Sequence, residues 1–219
     1  MADVGGLIQT VAIAALPVIF AITLHEAAHG YVARHFGDPT AWQEGRITLN
    51  PVKHIDLVGT ILLPLLLFVM ASPIMFGWAK PVPVNFSRLR NPKRDMLWVA
   101  AAGPGSNLLM ALFWGAVMKT AWLLPFNYFS LPMTRMAEIG ITINIILMVL
   151  NLFPLPPLDG GRIAVSLLPP QAAWRYAPVE RFGFPILLVL LFTGILGSLL
   201  TPAMLLVGGL IDFIFQLPS

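Results

Sequence analysis

Long stretches without a charged residue constrain this chain more than any other feature of its sequence. Five uncharged runs cover residues 4–24, 57–79, 96–118, 139–158 and 182–211. A helix needs about 20 predominantly apolar residues to cross the hydrocarbon core of a bilayer, and each run is long enough. Charged residues make up only 11% of the 219 residues, whereas soluble domains carry roughly 25%. The sequence therefore predicts an integral membrane protein with little material for a separate soluble domain.

Two of the five runs are predicted not to be simple spans. The run 57–79 contains Pro64 and Pro73, and interrupted helices are tolerated at membrane depth where protein buries them. We favour a segment that enters the membrane and returns on the same side, and a full crossing is the alternative. The run 182–211 is expected to hold one span and a shorter return, broken near Pro202. The predicted fold is an all-α polytopic membrane protein with about 4–6 membrane-embedded helices.

Basic residues predict the orientation of the spans. Between the first and third runs lie Arg34, Arg46, Lys53, Lys80, Arg88, Arg90, Lys93 and Arg94. If the second run re-enters, these residues share one side with Arg162, Arg175 and Arg181, and only Lys119 and Arg135 lie opposite. Cytoplasmic loops are rich in Lys and Arg, so the N-terminus is predicted outside and residues 34–94 in the cytoplasm. The small net charge of +3 is typical of membrane-flanking basic residues rather than of a nucleic-acid surface, so we expect a lipid bilayer and no nucleic acid as partner.

The first run leads into two histidines and a glutamate, in the stretch FAITLHEAAHGYV (20–32). Ionisable residues in membrane-like sequence are costly and usually functional. His25 and His29 are four residues apart, which puts both imidazoles on one helix face, where they can bind a single Zn²⁺. Zinc lowers the pKa of a bound water to about 7, and Glu26 could accept its proton and pass it to a leaving amine. The alternative is a pair of buried histidines satisfied by hydrogen bonds.

The third protein ligand must be a His, Asp or Glu, because the chain has no cysteine. His35 has the spacing of the third histidine in the pattern H-E-x-x-H-x-x-G-x-x-H. However, Val32 stands where that pattern has glycine, and a continuous helix would carry His35 away from the metal. Glu44 and Glu138 are further candidates.

The stretch NLFPLPPLDGGR (151–162) contains another carboxylate, Asp159, at the end of the fourth run. Taken alone, its Asp-Gly pair is typical of a turn. Taken with HEAAH, it is a carboxylate at the same predicted depth in the membrane. The three prolines before it would break the helix and could direct the carboxylate sideways. Asp159 is therefore the expected third ligand.

These motifs resemble those of the site-2 protease family of intramembrane zinc metalloproteases. HEAAH lies in the first span, N-x-F-P-x-P-P-L-D-G lies in a later one, and GPGSN (103–107) between them matches the G-P-x-x-N signature of that family. The stretches GRITLNPVKHID (45–56) and FGWAKPVPVN (76–85) resemble a small bacterial and archaeal subgroup. The resemblance extends from residue 20 to about residue 165.

The resemblance implies roles for particular residues. His25, His29 and Asp159 would bind one zinc ion per chain, and Glu26 would be the catalytic base.

Two asparagines also match the motifs. The resemblance implies that Asn151 helps to hold the substrate carbonyl or its oxyanion, a task suited to an amide donor. Asn107 fits a role in substrate binding, and the alternative is an interhelical hydrogen bond beside glycines that allow close helix contact.

The resemblance also implies a domain plan and a location. Residues 1–219 would form a single membrane-embedded protease domain, with a core at about 4–168 and a C-terminal helical hairpin or span at about 182–216. No segment outside the runs is long enough for a PDZ-like or CBS-like domain. The implied function is hydrolysis of peptide bonds in or near transmembrane helices (regulated intramembrane proteolysis), in a prokaryotic plasma membrane with the active site toward the cytoplasm. Transmembrane proteins or peptides would be the substrates, and the oligomeric state is left open.

A membrane helix must be opened before it is cut, and pairing with an exposed strand edge would replace its lost hydrogen bonds. GRITLN (45–50) alternates as a strand does, and AKPVPVN (79–85) has extended, proline-rich character. We expect a small re-entrant or β-hairpin-like segment between the first helix and the GPGSN helix, with one of these two stretches as the edge. The alternative for 79–85 is an ordinary juxtamembrane loop.

Two kinds of rival function remain. A membrane metalloprotease acting on cytoplasmic or prenylated tails would need a Glu or His as third ligand. A non-catalytic membrane scaffold or a metal transporter belongs to a different class. Transporters often contain internal helix repeats, which this sequence does not show, and a scaffold has no reason to keep Glu26 beside two zinc ligands.

Overall fold

A computed structural model of the chain describes residues 4–70, 77–125 and 129–217. Within these residues the α-helices are α1 (Val4–His35), α2 (Thr40–Gln43), α3 (Leu63–Val69), α4 (Pro92–Leu123), α5 (Ser130–Leu152), α6 (Asp159–Leu167), α7 (Pro170–Tyr176), α8 (Glu180–Phe192) and α9 (Ile195–Phe215). Short 3₁₀ or π-helical turns lie at Pro51–His54, Leu57–Leu62, Phe86–Arg88 and Ala177–Val179. No β-strand occurs in the described ranges. The predicted all-α polytopic membrane fold is confirmed.

Four helices are long and apolar enough to cross a membrane: Gln9–His35 within α1, together with α4, α5 and α9. They extend beyond the uncharged runs that predicted them, because charged residues near a helix end do not stop the helix. In α4, for example, Pro92 occupies the first turn, where its missing N–H costs nothing. Asp95 Oδ2 then accepts the backbone N–H of Asn91 (2.7 Å). α5 ends at Leu152, directly before an extended Phe153 that precedes a proline.

The predicted break near Pro202 is wrong. The last run is divided at Gly194, whose φ of 75° is left-handed, a conformation that glycine adopts without strain. Pro202 lies inside α9 instead, and a single proline is tolerated in a membrane helix because it removes only one helical hydrogen bond. The short element, α8, therefore comes first, and the full span, α9, follows it.

The second run turns back as expected. The consecutive helical turns Leu57–Val69 are shorter than the four candidate spans. The backbone N–H of Trp78 donates to the carbonyl of Gly59 (3.1 Å), and the hydroxyl of Thr60 donates to the carbonyl of Trp78 (2.8 Å). A Cβ at residue 59 would collide with the Trp78 indole, so glycine permits this approach. The chain thus returns to the π-helical turn that precedes α3, which agrees with the expected re-entrant course of this run.

The predicted strand at 45–50 is wrong. Its backbone hydrogen bonds are local: the N–H of Gly45 donates to Trp42 (3.0 Å) and that of Thr48 donates to Arg46 (3.1 Å). Gly45 also has a left-handed φ of 61°, so the alternation of side chains does not reflect an extended backbone. Residues 77–85 belong to no helix or strand in the part of the chain that the structure describes. Extended backbone is expected around Pro81 and Pro83, because a proline disfavours the helical conformation of the residue before it.

Helices α1, α4 and α5 pack against one another, and α9 packs against α4 and α5. A buried cluster joins three of these helices and comprises Ala111, Ile145, Met148, Val149 and Ile211. At one end of the bundle, the N–H of Arg90 donates to Phe36 (3.0 Å) and the ammonium of Lys93 donates to Leu168 (2.7 Å). The end of α1, the start of α4 and the end of α6 therefore share this end. Lys119 lies at the other end, where it donates to Gln216 (3.3 Å).

Candidate metal centre and active site

The HEAAH residues lie well inside α1 rather than at its end. His25 and His29 precede the last residue of the helix, His35, by ten and six positions. At 1.5 Å per residue these positions are about 15 Å and about 9 Å from the helix end. Both histidines are buried, and both belong to the candidate span Gln9–His35. The chemistry-bearing residues therefore lie within the apolar part of the bundle.

Asp159 reaches the same place from the start of α6. The chain leaves α5 at Leu152, turns through the prolines, and begins α6 at Asp159 itself. Gly160 and Gly161 pack directly under the backbone of this turn, and a Cβ at either position would collide with backbone atoms between residues 152 and 156. Two glycines thus allow α6 to start beneath the loop. The result is a carboxylate directed at α1.

Three electron-rich atoms converge at the site. The Nε2 atoms of His25 and His29 are 3.1 Å apart, and they lie 3.3 and 3.2 Å from Oδ2 of Asp159. The Nδ1 atom of His25 faces Oδ1 of Asn107 (2.6 Å), and that of His29 faces the carbonyl of Val99 (2.7 Å). Because both of these oxygens accept hydrogen bonds, each Nδ1 carries the proton. Each Nε2 atom therefore presents a lone pair to the other and to the carboxylate.

This arrangement fits a zinc ion. Asp159 Oδ2 is a buried oxygen without a hydrogen-bond partner, and three converging lone pairs repel one another unless a cation lies between them. Ligand distances of 2.0–2.1 Å in a tetrahedral zinc site place neighbouring ligand atoms about 3.3 Å apart, close to the observed separations.

A relay of buried amides supports His25 from behind. Asn107 is 0% exposed, and its Nδ2 donates to Oδ1 of Asn144 (2.9 Å) and to the carbonyl of Ala21 (3.2 Å). Asn144 in turn donates to the carbonyl of Gly140 (2.8 Å). The relay connects α1, α4 and α5 and fixes the orientation of the Asn107 amide. Partners of this kind hold a metal-binding histidine in one tautomer and ring position.

Glu26 lies beside the three converging atoms and is held by a different segment. Its Oε2 accepts the backbone N–H of Val82 (2.8 Å), which belongs to the extended stretch 77–85. The other carboxylate oxygen has no hydrogen-bond partner among the described residues. One oxygen of the Glu26 carboxylate is thus held by the backbone, and the second oxygen is available to a water or a substrate.

Comparison with known proteins identifies the family. The model of peptidase family M50 matches residues 127–194. The chain is 41% identical over 190 residues to YwhC of Bacillus subtilis (strain 168), which is named as a candidate zinc metalloprotease, and the match covers 85% of this chain and 83% of YwhC. The chain belongs to peptidase family M50, the site-2 protease family.

Two mycobacterial relatives of this M50 protein carry a similar name. Rip2 of Mycolicibacterium smegmatis is 29% identical over 175 residues, and Rip2 of Mycobacterium tuberculosis (strain H37Rv) is 28% identical over 176 residues; both are named as candidate zinc metalloproteases. The matches cover 80% and 78% of this chain but only 64% and 63% of the relatives. No solved structure matches the chain significantly. The protein is an integral membrane member of a zinc metalloprotease family.

The structure distinguishes among the ligand candidates of this M50 chain. Within the described residues, the one group of three or more His, Asp and Glu side chains arranged to hold a metal is His25, His29 and Asp159. His35 is exposed at the end of α1, with its ring against Phe36. Glu44 and Glu138 are exposed elsewhere. The geometry therefore favours Asp159 as the third ligand.

The two predicted asparagines have different surroundings. The Asn107 amide uses its donors on Asn144 and Ala21 and its oxygen on His25. The geometry thus favours the interhelical alternative over substrate binding for Asn107. Asn151 is half-buried, and its amide donates to Leu147 one turn earlier in α5 (2.9 Å). Its role toward a substrate carbonyl stays a prediction.

Sequence reasoning missed two residues that shape the site. Asn144 precedes Asn151 by seven residues, a spacing that puts both on one face of α5 and was a usable signal. Gly103, the first glycine of GPGSN, lies against the site, and a Cβ there would touch His29 Nε2 and lie 2.6 Å from His25 Nε2. Sequence reasoning assigned the glycines of this motif to helix packing. The structure shows that Gly103 also provides space at the metal-binding atoms.

Proposed function

We propose that this M50 protein is an intramembrane zinc endopeptidase that hydrolyses peptide bonds in or near the transmembrane helices of other proteins. The observation that supports the proposal is the convergence of two imidazole nitrogens and one carboxylate oxygen beside Glu26, inside a candidate membrane span. A site at this depth meets a substrate within the bilayer rather than in a soluble loop.

The chain's own residues have separate tasks in this proposal. His25, His29 and Asp159 would hold one Zn²⁺, which would supply Lewis-acid polarisation of the scissile carbonyl and acidify a water. Glu26, with one carboxylate oxygen free, would accept a proton from the attacking water and transfer it to the amine that leaves. Asn151 is assigned to the substrate carbonyl, because an amide N–H can stabilise developing negative charge on oxygen.

A substrate helix must unwind before cleavage, and residues 77–85 offer it an extended neighbour. Pro81 and Pro83 have no N–H, and the N–H of Val82 is used by Glu26. The carbonyl of Val82 and both backbone groups of Val84 have no backbone partner among the described residues. We assign the substrate-pairing edge to this part of the segment, which lies directly beside the catalytic base.

The basic end of the bundle sets the proposed orientation. The predicted grouping of Lys and Arg agrees with the contacts that bring the ends of α1 and α6 to the start of α4. On the positive-inside rule this end is cytoplasmic. The site would then open toward the cytoplasmic half of a prokaryotic plasma membrane.

The alternative functions, a scaffold or a transporter, are less well supported. A scaffold would gain nothing from a buried carboxylate oxygen without a hydrogen-bond partner, since burying such a group is costly. A transporter would need a metal that can leave, whereas the Nδ1 atoms of both histidines are fixed by α4.

The first experiment measures zinc content and cleavage of a model transmembrane substrate in detergent and in lipid nanodiscs. Purified wild type should contain about one zinc per chain, as a mononuclear catalytic site requires. Glu26→Gln should keep the metal and lose cleavage, because it removes the base but no ligand. Asp159→Ala should lose or weaken metal binding.

Two variants serve as matched controls. Glu44→Gln changes an exposed glutamate, and Asp212→Ala changes an aspartate in α9; both should retain zinc and cleavage. Full activity in Asp159→Ala would show that the third ligand lies elsewhere. Cleavage of a soluble unfolded protein, with none of the membrane-inserted substrate, would contradict the intramembrane part of the proposal.

A further inference from the structure

A buried arginine outside the proposed site has no carboxylate partner in the described part of the chain. Arg46 is 7% exposed, and the ion pairs found among the described residues do not include it. Its Nε is buried without a hydrogen-bond partner. Burial of an uncompensated charge is costly, so a sequence that retains one has another use for it.

The Arg46 guanidinium holds the start of the extended segment. Its Nη2 donates to the carbonyls of Lys80 (3.0 Å) and Pro81 (3.2 Å). From the other direction, the N–H of Lys80 donates to the carbonyl of His54 (2.9 Å). His54 is itself buried, and its Nε2 donates to the carbonyl of Thr48 (3.0 Å). The loop between α2 and the re-entrant segment thus fixes both backbone groups of Lys80.

The held segment positions Glu26. Val82 follows the two clamped carbonyls directly, and its N–H donates to Oε2 of Glu26. Because residues 81 and 83 are prolines, the N–H of Val82 is the single backbone donor within residues 81–83. The contact with Glu26 therefore depends on the placement of one amide.

The Val82 side chain adds a packing contact to the same arrangement. It is buried, and a Cβ at Gly30 would lie 3.0 Å from Val82 Cγ1 and 3.0 Å from Ile47 Cγ1. Gly30 lies four residues after Glu26, on the same face of α1. Val82 and Ile47, the residue next to Arg46, therefore pack on α1 one turn away from the catalytic base.

We propose that Arg46 is a positioning residue: by holding the carbonyls of Lys80 and Pro81 it places the Val82 amide against Glu26 and so sets the orientation of the base. This inference rests on the proposed function, because the role of Glu26 as base belongs to that proposal. The hydrogen bond between Val82 and Glu26 exists independently of catalysis, so it can be measured without a substrate.

Amide hydrogen exchange with mass spectrometry provides the direct test on the full-length protein in detergent. The stretch 80–84 has only three amide hydrogens, on Lys80, Val82 and Val84, because the other two residues are prolines. Loss of the Arg46 contacts in Arg46→Gln should release the Val82 amide and speed its exchange by at least about tenfold. Arg46→Lys, which can reach one carbonyl but not both, should lie between this variant and wild type.

Arg90→Gln is the matched control. Arg90 also donates to a backbone carbonyl, that of His35 (2.6 Å), and its described hydrogen bonds do not reach residues 77–85. Exchange at 80–84 should stay at the wild-type rate in this variant. Equal exchange in wild type and Arg46→Gln, or equal acceleration in the Arg46 and Arg90 variants, would overturn the proposal.

Kinetics then test whether the effect acts through Glu26. Arg46→Gln should lower kcat by at least about tenfold with unchanged zinc content, because Arg46 is no metal ligand. In a Glu26→Asp background, where the shorter side chain cannot reach Val82, the same substitution should cost less than about threefold, since coupled residues are non-additive. An equal, multiplicative loss in both backgrounds would contradict a role through the base. If neither wild type nor any variant cleaves the substrate, the proposed function fails. The exchange experiment still tests whether Arg46 holds the Val82 amide in place.

Discussion

Replacing Gly103 by alanine tests the metal centre without changing any ligand. Gly103 lies on the face of α4 that meets α1, directly opposite the two imidazoles. An added Cβ would touch Nε2 of His29 and would lie 2.6 Å from Nε2 of His25. We expect Gly103→Ala to abolish zinc binding at concentrations that saturate the wild type.

The expected magnitude follows from the geometry. Ordinary contact between such atoms begins at about 3.5 Å, so the His25 ring would have to move by about 0.9 Å. Zinc sites tolerate changes in ligand distance of about 0.2 Å. The rings cannot rotate away cheaply, because Asn107 and Val99 hold their Nδ1 atoms. Loss of an outer partner alone costs about 10–100-fold in affinity, so ligand displacement should cost at least about 100-fold, or about 2.8 kcal/mol.

Gly105→Ala is a close control, since it makes the same substitution two residues later in the same helix and the same motif. No atom lies within 4 Å of a Cβ built at Gly105. Alanine is favoured over glycine in a helix by about 1 kcal/mol, so this variant should bind zinc normally and be slightly more stable. Zinc affinity is measured by competition with a chromophoric chelator, and folding by thermal unfolding in the same detergent. Wild-type zinc affinity in Gly103→Ala, with both proteins folded, would refute the placement of the metal between these imidazoles.

Three further predictions concern the surroundings of the site. Asn107→Leu should weaken zinc binding by about 10–100-fold in the same chelator competition, because it removes the acceptor for His25 Nδ1. Asn107→Asp keeps an acceptor and should lose less affinity. Equal losses in the two variants would show that the acceptor is not the important feature. Gly183→Ala should lower the thermal stability, because its Cβ would collide with the carbonyl of Pro156 in the loop before Asp159. Gly197→Ala, which has open space around its Cβ, should not lower it. Identical melting curves would contradict the close approach of α8 to this loop. Chelation of zinc should lower the melting temperature of wild type, since a ligand present at 1,000 times its Kd stabilises by about 4.1 kcal/mol, and the shift should disappear in Asp159→Ala.

Much of the fold and of the candidate site could be predicted because the sequence carries strong local signals. Uncharged runs identified the spans, since a bilayer imposes a length of about 20 apolar residues. The spacing of His25 and His29 required a helix, and the structure has one. Asp159 was found because it is a carboxylate at the end of an apolar run, at the same predicted depth in the membrane as HEAAH. The first two inferences each depend on residues within one short stretch, and the third combines two such stretches.

The sequence was less informative where the outcome depended on contacts between distant segments. Alternation in 45–50 predicted a strand, but a strand also needs a partner, and the described chain provides none. The division of the last run depended on a left-handed glycine, Gly194, and not on Pro202, near which the break was predicted. Arg46 resembled a membrane-flanking charge, and its contacts with Lys80 and Pro81 are made across more than thirty positions of sequence.

The pairing of α1 with α4 shows how distant motifs form one site. Val99, Gly103 and Asn107 follow one another at intervals of four along α4, so all three lie on the same face. His25 and His29 have the same interval on α1, which runs in the opposite direction. Val99 therefore meets His29, Asn107 meets His25, and Gly103 provides the space between them. A shift of either helix by one residue would rotate these groups out of alignment, so the register of α1 against α4 is set by the same atoms that orient the metal ligands.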